Sequence, residues 1–105
     1  MMLSDLQAKS ASVNELVLPL AEANMALEIL LRSGTTLLGW EGWIRYPDGR
    51  LGHSAHHQGT KDLSDMPLLE AYRFARDSMQ QSHSEHECNP EVPDSELLFC
   101  ITSEA

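Results

Sequence analysis

Residues 36–53 read TLLGWEGWIRYPDGRLGH, and this stretch decides the fold. Thr36, Leu38, Trp40, Gly42 and Ile44 alternate with Leu37, Gly39, Glu41, Trp43 and Arg45, the period of two that belongs to a strand. Both sets hold large side chains, so one face is expected to be core and the other at least partly covered. Tyr46-Pro47-Asp48-Gly49 then supplies a turn: Pro47 presets φ, Asp48 can bond its own backbone, and Gly49 accepts positive φ. The chain therefore doubles back, and a returning strand is expected from about Arg50 to Gln58, with Leu51, His53, Ala55 and His57 on one side. Trp40 shares a face with Leu38 and Ile44 and is expected inside. Trp43 has the opposite parity and is read either as a second buried aromatic or as a partly exposed one of the kind enriched at interface hot spots.

Upstream of the hairpin the period changes. Leu16, Leu20, Ala23, Leu27, Leu30 and Leu31 recur at spacings of three and four, which predicts an amphipathic helix entered from Ser12 and stopped by Gly34. Pro19 either begins that helix or kinks it. Residues 1–11 are a short helix or a loose lead-in. Downstream, Ser64 and Asp65 supply cap oxygens, Pro67 suits a first turn, and Leu68, Tyr72, Ala75 and Met79 form the stripe of a second helix to about Ser82. Residues 83–95 are polar, hold two prolines and are expected to be a loop, and Glu96–Thr102 reads as a buried strand. The expectation is a single α+β domain over residues 1–105 in the order helix, strand, strand, helix, strand. Its sheet is mainly antiparallel, with the helices packed on one face. The direction of the last strand is left open.

The chain has 105 residues, 16 of them Asp or Glu and 7 Lys or Arg, for a formal net charge of −9. That balance disfavours nucleic-acid binding, which draws its affinity from neutralised phosphates, and it disfavours an anionic membrane surface. A cationic partner is the natural complement. The longest apolar stretch, around Leu16 to Leu31, is interrupted by Glu22, Asn24 and Glu28 and falls short of a membrane span. The opening Met-Met-Leu-Ser-Asp has an acid where a secretory signal carries positive charge, so a cytoplasmic location is expected. In a reducing cytosol Cys88 and Cys100 are read as free thiols rather than a bridge.

Groups able to do chemistry are present but poorly placed. His53, His56 and His57 form one cluster, and His83, His86 and Cys88 another. On a strand His53 and His57 stand about 13 Å apart, too far to share a metal, and only convergence of the two clusters or a loop conformation would assemble one. Cys100, among apolar neighbours, is expected to be inert. Ser54 beside His53, and Ser84 beside His83, have no nucleophile-elbow context. Neither a cofactor, a metal nor a catalytic residue is assigned, and the chain is read as a binding protein rather than an enzyme. The acids are clustered: Glu85, Glu87, Glu91, Asp94 and Glu96 fall within twelve residues that hold no Lys or Arg. Such a run is either a solvated loop or a surface that docks a basic cleft. The candidate contact residues are Trp43, Asp48, Glu85, Glu87, Glu91 and Asp94.

In style the chain resembles the small immunity proteins that neutralise bacterial polymorphic, contact-dependent or bacteriocin toxins. The resemblance rests on the acidic α+β layout, Gly39-Trp40-Glu41-Gly42-Trp43 entering Tyr46-Pro47-Asp48-Gly49, Gly59-Thr60-Lys61-Asp62-Leu63-Ser64 leading into Ala71-Tyr72-Arg73-Phe74-Ala75, and the terminal Glu96-Leu97-Leu98-Phe99-Cys100-Ile101. It implies a non-enzymatic inhibitor that covers the basic active site of a cognate nuclease-type toxin domain; separately, the chain is expected to be a monomer or a small homo-oligomer. Two other classes stand beside it: a different acidic binding protein, such as a secretion chaperone or nucleic-acid mimic, and a small histidine-dependent metal enzyme.

Overall fold

The structure, a computed structural model, describes residues 2–104. In chain order the elements are α1 (Leu3–Ala8), β1 (Leu16–Leu18), α2 (Leu20–Arg32), β2 (Leu37–Arg45), β3 (Leu51–His53), α3 (Leu68–Cys88) and β4 (Glu96–Ser103). The strands form one antiparallel sheet in the order β1-β4-β2-β3. The α+β architecture expected from the sequence is therefore present, with the last strand at its centre. β4 pairs with β2 from Leu37↔Ser103 to Arg45↔Glu96 and with β1 from Leu16↔Ile101 to Leu18↔Phe99.

Three boundaries differ from those expected, each for a local reason. The helix expected from Ser12 starts at Leu20, because Leu18 precedes a proline and that position is driven out of the α region. Leu16–Leu18 is instead an edge strand, and Pro19, at φ −60° and ψ 164°, is the N-cap of α2. The returning strand ends at His53 rather than near Gln58. Beyond it the chain still runs beside β2, donating from Thr60 N–H to the Trp40 carbonyl and from Leu63 N–H to the Leu38 carbonyl. Gly59, at φ +92°, makes the close approach possible, since a Cβ there would collide with the Trp40 carbonyl and lie 2.6 Å from Glu41 Cα. The second helix begins at Leu68 and continues to Cys88, so the first six residues of the span expected as a loop are helical. No glycine or proline interrupts it before Asn89-Pro90, and Asn89, at φ −150° and ψ 78°, has left the α region as a residue before proline does.

The helices cover one face of the sheet. Leu18, Leu27, Leu30, Trp40, Ile44, Tyr72, Met79, Leu97, Phe99 and Ile101 make up the body of that core. Trp40 meets Phe99 edge to face, 5.2 Å between ring centroids, and its indole N–H donates to Ser78 Oγ at 2.8 Å, joining β2 to α3. On the opposite face Val17, Leu98 and Cys100 form a small second cluster against which Ala11, Trp43 and Leu51 pack. The chain before β1 is tied over it: Ala11 N–H donates to the Val17 carbonyl and Val17 N–H to Ser10 Oγ. The two tryptophans thus lie on opposite faces, Trp40 buried and Trp43 half-buried.

Candidate functional site

The strand register collects most of the candidate residues at one end of the sheet. Because Arg45 faces Glu96, the Tyr46–Gly49 turn and the 89–95 loop project from the same edge. That loop in turn holds the chain that leaves β3. Ser54 Oγ donates to Glu91 Oε1, and Ala55 N–H donates to Glu91 Oε2 at 3.0 Å. Ser54 Oγ also accepts from His57 N–H, and the His57 carbonyl accepts from Gly42 N–H. Residues 54–57 are therefore a folded-back loop clasped between β2 and the carboxylate of Glu91.

This clasp brings together one histidine from each cluster. His57 turns inward and is buried, with its ring centroid 6.2 Å from that of His86, which is also buried. His86 continues the Tyr72, Ala75, Met79 stripe of α3, a spacing present in the sequence but hidden because histidine reads as polar. Its Nε2 faces the Ser95 carbonyl at 3.3 Å, while its Nδ1 is buried with no hydrogen-bond partner. His53 stays outside, its ring centroid 4.9 Å from that of Trp43 with the planes tilted by 50°, and His56 is exposed. Among the described residues no three His, Cys, Asp or Glu side chains are grouped so as to hold a metal ion.

The electrostatics follow from this geometry. Burial pushes the His57 imidazole below its ordinary pKa; Glu85 and Glu91 pull it back up, and His86 and His56 add to the depression. Burial works to raise the Glu91 carboxyl, but the hydrogen bonds from Ser54 and Ala55 outweigh it and hold the group below the usual carboxylate range. Cys100 is buried with Glu15 nearby, and its thiol is pushed up to about 12, which keeps it out of the reactive thiolate form. Cys88 is exposed, and both cysteines are free.

The candidate contact residues therefore stand in different situations. Glu85 and Glu87 are on the last turn of α3, exposed, with Glu85 4.0 Å from His57 Nδ1 and Glu87 3.9 Å from His83 Nε2. Glu91 is occupied in holding the 54–57 loop. Asp94 is exposed and holds φ at +61°, a conformation Asp tolerates better than most residues. Asp48 accepts from Arg50 N–H at 3.0 Å, the bond that lowers its pKa, and from Arg50 Nε at 2.7 Å. Trp43 lies on the open sheet face with its indole N–H buried and unpartnered. Arg45 and Arg50 are the two bases at this end of the sheet, and each is held by an acid, Glu96 and Asp48. Glu85 lines a shallow depression of about 410 Å³ together with His56, His57, Cys88 and Asn89. No protein-family model, curated protein or solved structure matches this chain.

Proposed function

We propose that the chain is a non-enzymatic, immunity-type inhibitor that docks the acidic end of α3 and the adjoining loop against a basic, nuclease-type toxin domain in the cytoplasm. One observation supports this reading above the others: Glu85 and Glu87 sit at the C-terminal turn of a 21-residue helix. The negative end of the helix dipole disfavours acids there by about 0.3–1 kcal/mol each, and only His86 in that turn could offset it. Acids kept where they cost the fold are the kind of local conflict that functional surfaces carry. From Asp77 to the chain end there is no Lys or Arg, so a cationic cleft meets no opposing charge from α3's second half. Such complementarity accelerates encounter and selects the partner.

The test is co-expression with the toxic domain of a neighbouring gene, followed by association kinetics with the purified domain at low salt. Rescue of growth and an association rate that falls by about tenfold or more in Glu85→Lys/Glu87→Lys are expected, since steering of this kind contributes factors of ten or more. An unchanged rate at low ionic strength removes the α3 end from the interface. Glu91→Gln is kept as a separate variant because Glu91 holds the 54–57 loop, so its effect includes loss of structure.

A further inference from the structure

The outer face of the helical layer carries a groove that has nothing to do with the acidic end. α2 and α3 leave an open channel of about 490 Å³ between them. From α2 it is lined by Asn24, Leu27, Glu28 and Leu31, and from α3 by Leu69, Tyr72, Arg73 and Arg76. Leu69 is 49% exposed. Tyr72 is already engaged, donating to the Thr35 carbonyl at 2.7 Å.

Its charges are divided between the two walls. The α2 wall presents Glu28, which is paired with Arg32 on its own helix, and the α3 wall presents Arg73 together with Arg76, the latter 3.5 Å from Asp77. Among the described residues Arg73 has no ion-pair partner, although acids outnumber bases by 16 to 7 in this chain. An anionic ligand would meet Glu28 and the net charge of −9, and a cationic one would meet Arg73 and Arg76. A surface with acid on one wall, base on the other and apolar side chains between them is complementary to itself.

We infer that the α2/α3 face is an isologous interface between two copies of this chain. A two-fold axis along the groove lays α2 of one copy over α3 of the other. Each Glu28 then meets the Arg73 of the second copy, and Leu69 leaves water. Four helices pack between two outer sheets, and the acidic ends of α3 remain free.

The test is sedimentation equilibrium on the full chain in 150 mM NaCl. A concentration-dependent dimer is expected. Arg73→Glu and Glu28→Arg, each of which sets like charges together at both symmetry-related contacts, weaken it by about tenfold or more. An equimolar mixture of the two variants restores dimerisation, because in the mixed pair both contacts again join opposite charges. Arg32→Ala removes the same intrahelical partner of Glu28 but leaves the dimer intact. Leu69→Glu, at a position already half exposed, gives a monomer with an unchanged circular dichroism melt. A monomer at every concentration, failure of the mixture to restore the dimer, or monomerisation by Arg32→Ala equal to that by Glu28→Arg overturns the inference.

Discussion

His57 and His86 show most plainly how single residues were displaced from what their neighbours in sequence implied. Both come from polar stretches, and both are buried. The consequence is a pH dependence whose sign follows from burial. An unfolded chain takes up a proton on His57 near pH 6.5, whereas the folded chain resists it because burial disfavours the imidazolium more than Glu85 and Glu91 favour it. Stability from this residue is thus fully present above pH 6.5 and is lost as the pH falls through the lower, folded value. The thermal midpoint is expected to drop between pH 7.5 and 5.5, and to drop less in His57→Gln. An equal drop in the two proteins would place the acid sensitivity elsewhere. Glu91, with its lowered pKa, contributes stability that disappears only at a more acidic pH, as its hydrogen bonds to Ser54 and Ala55 are lost on protonation.

At the scale of elements, the sheet and the long helix depend on a few cross-links more than on propensity. Trp40 Nε1 to Ser78 Oγ is the side-chain bond that pins β2 under α3. Ser78 Oγ is in turn turned toward the Phe74 and Ala75 carbonyls, 2.8 and 3.1 Å away. Ser78→Ala is expected to cost about 1–2 kcal/mol in urea unfolding, because it leaves the indole N–H without its acceptor. A loss below 0.5 kcal/mol, about the floor for a net hydrogen bond, would mean that water replaces the hydroxyl. Element boundaries were legible where a breaker is unambiguous: Gly34 after α2, and the Pro47-Asp48-Gly49 turn. They were misread where one residue suits two periods. Leu16 fits both the helical stripe through Leu20 and the strand pattern with Leu18, and only its pairing opposite Ile101 decides for the strand.

For the molecule as a whole, the charge of −9 acts differently at the two proposed surfaces. A toxin complex draws on long-range attraction, so it should weaken as salt rises from 10 to 150 mM and the Debye length shrinks from about 30 to 8 Å. Two copies of this chain repel at long range while their Glu28 and Arg73 meet at contact. Screening removes more of the former than of the latter, so the dimer should tighten over the same range, as sedimentation at the two salt concentrations would show. A dimer that weakens in parallel with the toxin complex would count against this division of charge. By itself the sequence determined the α+β class, the hairpin turn, the apolar stripes of α2 and α3, the opposite faces of Trp40 and Trp43, and the acidity, since each follows from local periodicity or from composition. Only the tertiary structure decided that β4 lies at the centre of the sheet, that Glu91 clasps the 54–57 loop, that His57 meets His86, and that Arg73 lines a groove opposite Glu28. Those facts join residues 29 to 85 positions apart, and a contact at such separation leaves no trace in the pattern of either segment alone.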